Sequence, residues 1–464
     1  MQFKVDGAPA LRARLASKAR NRRVFDVLRL RPMLCSVLAG LPVNLCAWLT
    51  ILAQAVPARS ALTFLELLVG AMITDRGFVT EAILSIAPRR RWYTYFKWLE
   101  EGQFSWVRIA LSLAKLLVAN FSPPVWHLVI DDSLIPRASK KAPDVGFHFD
   151  HSQKPNRSKF IWGQDWVTLA AVVHAQSVSQ SWAVPIISRL VRKAGNRRKV
   201  NCARVLLRVV RNTFGPARLL LDTWFMRASV IEDAVADGLT VIGQVRKDLA
   251  LYRPPSPKLP GQRGRARKFG MKLDQAAVAT LGEDSFFTLL YGQGQTVHYR
   301  SAIALAKFLA GRPVRAVWIR LEDRSGTLKA PRLLICTDTT MTARAVIEAY
   351  ALRWTIEPMF CSLKNAAGIK EAWQRRRQTL HRWVQILSTA FALTQMVAVH
   401  HPAIATKLAV VAPWRKEPHP TAGMVKRGLA NLFRNVRLEP LWDRKRRKFA
   451  TNIDPPQLHS RTEA

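Results

Sequence analysis

The order of apolar runs between residues 125 and 246 constrains the fold of this chain more than any other feature. Short β-rich runs begin after Pro123 and Pro124, where the helical spacing of the preceding segment ends. Three of them predict consecutive strands, and the runs that follow predict helix, strand, helix and strand. In chain order the runs are "VWHLVID", "WVTLAAVVHA", "WAVPIISRLV", "VNCARVLLRVVRNTF", "ARLLLDTWF", "SVIEDAVADG" and "LTVIGQVR". This alternation predicts an α/β core.

The segments on either side of this core have different patterns. The N-terminal part has apolar residues at helical spacing, whereas a Pro- and Gly-rich basic loop at 253–270 is followed by alternating, β-like runs. A long helix resumes near Ala343, and we expect the basic end of the chain to be mobile. The predicted domains are 1–124 (helical), 125–246 (core, first part), 247–340 (β-rich insertion), 341–400 (core, last part) and 401–464 (basic C-terminal region).

The charge of the chain indicates a polyanionic partner. Its 464 residues include 72 Lys and Arg against 31 Asp and Glu, a formal net charge of +41. Such a charge destabilises a compact protein through self-repulsion, so nucleic acid is the first candidate partner. The alternative is a ribosome-associated or otherwise merely basic protein. The segment "APRRRWYTYFKW" at 87–98 is equally consistent with a DNA-contacting surface and with a core helix that has a basic edge.

Two features concern the compartment of the protein. The uncharged stretch 34–58 is long enough to cross a bilayer, but it contains Pro42, Asn44 and Gln54, so two packed helices fit better. No signal peptide is evident. Five scattered cysteines without a Cys/His cluster favour a reducing interior and argue against zinc. These observations favour a cytoplasmic, nucleoid-associated protein without a membrane partner.

The stretch "YALRWTIEPMFCSLK" at 350–364 places one carboxylate, Glu357, among cations. On a continuous helix, Tyr350, Arg353, Glu357 and Lys364 fall within an arc of about 60°. The alternative is an exposed face with local ion pairs, although the surrounding residues are largely apolar. Pro358 should kink or restart the helix just after Glu357.

Two further acidic positions lie at the ends of predicted strands. "HLVIDDS" ends in Asp131 and Asp132, and "LLLDTWF" contains Asp222. Any single strand-end aspartate is more often a loop-start hydrogen-bonding residue. Two aspartates and a glutamate together are hard oxygen ligands that suit Mg²⁺ or Mn²⁺, and two such ions about 4 Å apart can support phosphodiester chemistry.

These motifs together resemble a known family, the bacterial insertion-sequence transposases of the DDE class. "Y-x2-R-x3-E-x6-K" is complete in Tyr350, Arg353, Glu357 and Lys364, while "DDS" and "DTWF" are similar to the two aspartate motifs. The resemblance implies a ribonuclease-H-like catalytic core interrupted by a β-rich insertion, with an N-terminal helical DNA-binding domain and a basic helical C-terminal tail. It covers roughly residues 30–400.

The resemblance also implies residue roles. Asp132, Asp222 and Glu357 would be the catalytic acids that bind two Mg²⁺ ions, which Mn²⁺ could replace, and Asp132 is preferred to Asp131 because it directly precedes Ser133. Tyr350, Arg353 and Lys364 would hold phosphates at the DNA ends. The insertion in this branch is associated with a hairpin intermediate and a flipped base, for which Trp318, Tyr291 and Tyr299 are candidate stacking partners, although sheet packing explains each of them better. The sequence departs from the family pattern at Pro358, an unusual neighbour for a catalytic helix residue, and at Gln164, where a histidine is expected.

The sequence therefore predicts a cut-and-paste DNA transposase that acts as a dimer on double-stranded DNA, at the terminal repeats and at the target. The basic loop residues Arg263, Arg265, Arg267 and Lys268 and the cluster at 444–448 would add contacts to the DNA backbone. The alternatives are an inactive or domesticated DNA-binding regulator and a basic membrane-surface protein.

Overall fold

The structure is a computed structural model. It describes residues 43–149, 158–174, 180–192, 196–258, 263–290, 293–323, 325–409 and 421–449. Residues 1–42 and 450–464 therefore lie outside the description.

Within the described part of the chain, five helices precede the sheet, as the apolar spacing predicts. They are α1 (Val43–Ala53), α2 (Ala61–Ile73), α3 (Val79–Leu84), α4 (Trp92–Glu101) and α5 (Trp106–Asn120). Every residue of α2 is buried, including Glu66, so this helix is the centre of the N-terminal bundle. Among the described residues, no helix combines the length and apolar character that a membrane crossing requires.

The first six strands and two helices follow the predicted order, with one short strand added. They are β1 (Trp126–Pro136), β2 (Gly146–Phe149), β3 (Phe160–His174), β4 (Ser181–Leu190), α6 (Asn196–Val210), β5 (Ala217–Leu221), α7 (Ala228–Ala236) and β6 (Thr240–Val245). The sequence does not predict β2, which pairs with the polar start of β3.

Strand direction changes at β1. This strand pairs antiparallel with β3, which in turn pairs antiparallel with β4, whereas β1, β5 and β6 are parallel neighbours. Parallel neighbours need a crossover connection, and α6 and α7 are long enough to provide it. The parallel strands bury long apolar runs such as Leu219, Leu220 and Leu221, as expected for strands covered on both faces.

The predicted insertion continues the same sheet. Its elements are β7 (Leu251–Tyr252), α8 (Gln275–Ala279), β8 (Glu283–Leu290), β9 (Gln293–Ala306), β10 (Arg312–Glu322) and β11 (Arg332–Cys336). β11 pairs antiparallel with β6, and the described strands give the order β2-β3-β1-β5-β6-β11-β10-β9-β7. The core and these later strands are thus joined by backbone hydrogen bonds.

The C-terminal part returns to the core as helices. They are α9 (Ala343–Ala351), α10 (Ile356–Asn365), α11 (Arg377–His400), α12 (Pro402–Leu408) and α13 (Ala422–Phe433). Most of α11 is buried, and it packs against β4 and α2. It thereby fixes the N-terminal bundle to the sheet.

The basic cluster at 444–448 is folded, in contrast to the expectation of a mobile tail. It forms the turn between β12 (Trp442–Asp443) and β13 (Lys448–Phe449). Arg447 adopts a left-handed backbone conformation, φ 53°, and its guanidinium donates hydrogen bonds to the carbonyls of Ala53 and Val56. Those bonds attach the turn to the end of α1.

Candidate active site

The register of two parallel strands places Asp131 beside Asp222. Ile130 of β1 pairs with Leu221 of β5, and each aspartate is the next residue in its chain. Side chains that occupy equivalent positions on neighbouring strands point to the same face of a sheet. The carboxylates of Asp131 and Asp222 therefore lie on one face, where the parallel pairing ends.

Asp222 is held by the turn that follows β5. Its Oδ1 accepts hydrogen bonds from the backbone N–H groups of Trp224 at 3.0 Å and Phe225 at 2.9 Å. Burial raises the pKa of Asp222, and the hydrogen bond from Phe225 opposes that rise. The motif "DTWF" thus orients the carboxylate through its own backbone, an arrangement common for aspartate at loop starts.

Arg353 joins Asp131 to Glu357. One guanidinium nitrogen lies 3.0 Å from Oδ2 of Asp131, and another lies 3.7 Å from Oε1 of Glu357. The side chains of Arg353 and Asp131 are about 15% and 14% exposed, whereas that of Glu357 is 46% exposed. The two carboxylates therefore face one cation at the edge of solvent, although more than 200 residues separate them in the sequence.

The environment of Asp131 disfavours a negative charge. Burial raises the pKa of Asp131 to about 8, the charges of Asp222 and Asp132 add to the rise, and Arg353 opposes it. Neighbouring carboxylates that share a buried site cannot all ionise cheaply unless cations neutralise them. Asp131 and Asp222 are consequently a pair that an additional cation would stabilise.

Asp132 lies on the opposite face of β1 and has different partners. Its Oδ2 is 2.8 Å from Nζ of Lys199, which is also 2.7 Å from Oδ2 of Asp165. Asp165 is almost fully buried, and its pKa is raised to about 7 by burial and, secondarily, by the charge of Asp132. The preference for Asp132 as a metal ligand remains a prediction, but the geometry favours Asp131 because only Asp131 contacts the cation that Glu357 shares.

Sequence reasoning did not single out Asp165 or Lys199. Asp165 is opposite Leu134 in the β1–β3 ladder, which puts it on the same face as Asp132. Lys199 is in α6 and lies over the Trp224 ring at 5.3 Å. The signal that could have found Asp165 is a charged residue inside the otherwise apolar run of β3, since such residues are rarely buried without a partner.

The helix that carries Glu357 is broken, which corrects the expectation of one long helix. A 3₁₀ segment at Leu352–Thr355 separates α9 from α10. Glu357 and Pro358 are the second and third residues of α10, where a backbone N–H has no partner within the helix in any case. Pro358 is therefore accommodated by the first turn and does not kink the helix after Glu357.

The remaining residues of the "Y-x2-R-x3-E-x6-K" motif lie on these two helices. Tyr350 is buried near the end of α9, and Lys364 is half-buried in the last turn of α10. Burial lowers the pKa of Lys364. The single helical arc of the sequence analysis is thus divided between two helices and the 3₁₀ segment.

Gln164 is a structural residue in this fold. It is fully buried, and its Oε1 accepts a hydrogen bond from Nε of Arg137 at 2.8 Å while its Nε2 donates to the carbonyl of Pro143 at 2.7 Å. Arg137 also donates to the carbonyl of Lys370, just after α10. The glutamine therefore holds an arginine that connects β1 to the segment following the helix that carries Glu357.

The other predicted DNA contacts lie away from the acids. Arg263, Arg265, Arg267 and Lys268 are exposed in the loop between β7 and α8. Trp318 and Tyr299 line a cavity of about 560 Å³ in the β7–β11 region, and the Tyr299 hydroxyl donates to Asp284 at 2.6 Å. Tyr291 lies outside the described residues.

The acids fit a hard divalent cation by their chemistry, but they do not form a closed site. Asp131, Asp222 and Glu357 offer only carboxylate oxygens, the donors that Mg²⁺ and Mn²⁺ prefer. Within the described part of the chain, no three His, Cys, Asp or Glu side chains converge closely enough to hold an ion. Arg353, which contacts two of the acids, supplies the neutralising charge in this arrangement.

Comparison with known proteins gives a family match over more than half of the chain. The family model described as "DDE superfamily endonuclease" matches residues 52–303, a range that includes Asp131 and Asp222 but not Glu357. No curated protein matches. The crystal structure of the NurA nuclease from Sulfolobus solfataricus is similar at 7% identity and a TM-score of 0.23, over 56% of this chain and 81% of that chain. A TM-score this low carries no argument.

Proposed function

We propose a specific reaction from one premise: the chain belongs to the DDE superfamily endonuclease family. The proposal is that it is a DNA transposase of the insertion-sequence type, which cuts double-stranded DNA at the ends of a mobile element and joins those ends to a target. The family accounts for cleavage. The transposase assignment is supported by the complete motif Tyr350, Arg353, Glu357 and Lys364 beside the two aspartates.

One observation carries the proposed catalytic set: Asp131 and Asp222 are register neighbours, and Arg353 links Asp131 to Glu357. We therefore assign catalysis to Asp131, Asp222 and Glu357, in place of the predicted set with Asp132. Asp132 is the alternative first acid, and a direct comparison of the two aspartates distinguishes them.

These three carboxylates would hold two Mg²⁺ ions, for which Mn²⁺ could substitute. Such ions, when bound, lower the pKa of a water molecule and neutralise the charge that develops on a phosphodiester. The contribution of the protein is to bring acids of three separate elements to one face of the sheet, where Arg353 contacts Asp131 and Glu357. It also buries most of the Asp131 side chain, which is about 14% exposed, and burial strengthens electrostatic interactions at that residue.

The reaction at the element end is a hydrolysis. The oxygen of water bonds to phosphorus, the bond from phosphorus to the 3′ oxygen breaks, and that oxygen leaves as a 3′ hydroxyl with one proton. In strand transfer the same hydroxyl attacks a second phosphodiester, on the opposite strand or in the target, and displaces its 3′ oxygen. Arg353, Lys364 and Tyr350 would hold the phosphates, with Arg353 exchanging its carboxylate partners for phosphate oxygens.

The fold we propose is ribonuclease-H-like, interrupted by the β7–β11 insertion. It is supported by three antiparallel strands followed by two parallel ones, with helices at the crossovers and a late helix that carries an acid. The domain limits of the sequence analysis, including a DNA-binding role for 1–124 and a dimer on DNA, stay part of this proposal. So does the hairpin intermediate.

Supercoiled plasmid nicking in the presence of Mg²⁺ tests the function. The wild type should nick DNA that carries the element ends, and Asp222→Asn should abolish nicking while it preserves DNA binding, because the amide removes ligand charge but little shape. Nicking by Asp222→Asn at the wild-type rate would refute the acid assignment. Binding without nicking by the wild type, under any divalent cation, would instead favour an inactive DNA-binding regulator.

A further inference from the structure

We propose that an exposed surface beside α10 grips the duplex DNA that leads away from the cut. This inference rests on the proposed function and extends it by naming the surface that contacts DNA beyond the catalytic acids. The surface, called here the two-tryptophan surface, consists of Arg90, Arg91, Trp92, Phe96, Trp373 and Arg375.

The two-tryptophan surface is continuous, although its residues come from distant parts of the sequence. The rings of Trp92 and Phe96 meet edge to face at 5.7 Å, and Phe96 lines a groove of about 420 Å³ together with Trp373 and Arg375. The indole N–H of Trp373 donates to the carbonyl of Lys370 at 3.0 Å. The surface therefore begins next to the end of α10 and reaches the start of α4.

Both tryptophans are exposed to a degree that core packing does not explain. Trp92 is 64% exposed and Trp373 is 66% exposed. The Trp373 ring is nevertheless held in place, since Phe78 meets it edge to face at 5.2 Å and 88°. A fixed, exposed indole ring can pack against the sugars of a duplex backbone.

A buried carboxylate fixes the turn that carries Arg90 and Arg91 of the two-tryptophan surface. Glu66 of α2 is fully buried, and it accepts hydrogen bonds from the backbone N–H of Arg89 at 3.0 Å and from the hydroxyl of Tyr95 at 2.8 Å. That hydroxyl also accepts a bond from the backbone N–H of Arg90 at 3.3 Å. Burying an acid is costly unless such bonds satisfy it, so this network fixes the turn before α4.

The arginines of this surface have no carboxylate partner among the described residues, and a phosphate group could pair with them. Glu100 and Glu371 line the same groove, and Glu100 pairs with Arg376 at 2.8 Å, but among the described residues no carboxylate lies within ion-pair distance of the side chains of Arg90, Arg91 or Arg375. Unpaired, exposed guanidinium groups around fixed aromatic rings fit a nucleic-acid backbone. A second copy of this chain is a poor occupant, because each copy carries a net charge of +41.

Binding of a labelled duplex, measured by fluorescence anisotropy without divalent cation, tests the surface. We compare the full-length wild type with Trp373→Ala, Arg375→Gln and the double variant Arg90→Gln/Arg91→Gln over a range of salt concentrations. Each arginine removed should reduce the slope of log affinity against log salt by about 0.9. Trp373→Ala should weaken binding about 5-fold through lost apolar contact, with little change in slope because the ring neutralises no phosphate. Lys115→Gln, a charge-matched change at an exposed position of α5, should alter neither quantity.

The outcomes separate this inference from the proposed function. Wild-type affinity and slope in all three surface variants would overturn the inference, while nicking by the wild type and its loss in Asp222→Asn would leave the function intact. A change in the sedimentation mass of DNA-free Trp373→Ala would indicate a protein interface and would also overturn it. A wild type that neither binds nor nicks duplex would refute the function itself. Because the altered side chains are exposed, each variant should melt like the wild type.

Discussion

At the scale of single residues, the molecule gives two adjacent carboxylates different environments. Asp131 contacts Arg353, while Asp132 contacts Lys199, because successive residues of a strand point to opposite faces. A one-residue difference in register would exchange the two. Their sequence context, "DDS", favours Asp132 through the family resemblance, but it does not determine which side chain faces Glu357.

Asparagine substitutions distinguish the two aspartates. Asp131→Asn should reduce plasmid nicking by about 100-fold or more, because removal of one ligand charge leaves a metal site incomplete. Asp132→Asn should reduce it far less, since Lys199 and Asp165 keep their ion pair without it. The measurement is the initial nicking rate at saturating DNA, with melting temperature as the control for folding. The opposite ranking would restore Asp132 as the ligand.

Residue types and their spacing predict part of this candidate site. The sequence identifies Asp222, Glu357 and Arg353 through their spacing and the scarcity of acids in a basic chain, and the structure places Arg353 within 3.7 Å of Glu357. The register of β1 against β5 was not predictable, because it depends on packing between segments about ninety residues apart. The roles of Asp165 and Lys199 depend on the same packing.

At the scale of helices and strands, α10 shows how a proline can stand next to a proposed catalytic residue. Its third residue is Pro358, so the missing N–H costs no intrahelical hydrogen bond. Helix spacing alone predicted one continuous helix over this stretch. The break at Leu352–Thr355 was not visible in that pattern, because the residues in it have no strong turn preference.

Replacing this proline tests the assignment. Pro358→Ala should lower the free energy of unfolding by less than about 1 kcal/mol, mainly through the entropy of the unfolded chain, and should leave nicking unchanged. Cys361→Pro, in the interior of the same helix, should cost about 3 kcal/mol. Urea denaturation measures both values. A loss for Pro358→Ala as large as that for Cys361→Pro would contradict the first-turn placement.

The contact between α13 and the end of α10 predicts a pH dependence. Lys426 is 2% exposed and donates to the carbonyl of Ala366 at 2.7 Å. Burial lowers the pKa of Lys426 to about 8, whereas in the unfolded chain it is about 10.4. Between these values the unfolded state binds more protons than the folded state, so this lysine adds stability as pH rises from about 8 to about 10.4.

The comparison is made with Lys426→Met. The stability of the wild type relative to this variant should increase as pH rises from about 8 to about 10.4, and it should be lowest and constant below about pH 8. Lys445→Met, at an exposed position of the β12–β13 turn, is the control and should show no such window. Urea denaturation at each pH supplies the values. A relative stability that is flat across this range would refute the depressed pKa of Lys426.

At the scale of the whole molecule, net charge predicts the partner and the order of the apolar runs predicts the core of the fold. The composition predicts nucleic-acid binding, and the order of the runs predicts the core strands β1, β3, β4, β5 and β6 together with α6 and α7. The lengths of these elements and the strand β2 were harder to predict, since the start of β3 is polar and resembles a loop. The continuation of the sheet through β11 also could not be foreseen, because alternating runs do not reveal which edge they join.

The exposed basic loop gives a test at this scale. Changing Arg263, Arg265, Arg267 and Lys268 together to Gln should lower affinity for all duplexes about equally and reduce the salt slope, by about 0.9 for each phosphate that the loop no longer neutralises. Nicking at saturating DNA should persist, because these side chains are not among the proposed catalytic acids. Binding is measured with specific and unrelated duplexes in parallel. An unchanged slope and affinity would mean that the loop is only a solvated turn.

The continuous sheet fixes the lateral spacing between β1 and β7. Six steps separate β1 from β7, and at about 4.8 Å per step they span at most about 29 Å. The basic loop follows β7, while the acids are at β1, so the sheet fixes the lateral distance between the two strands from which they arise. At about 3.4 Å per base pair, that length equals about eight base pairs of a straight duplex. A duplex bound across this width would contact both strands, and a much shorter duplex at the acids would not extend to the strand that carries the loop.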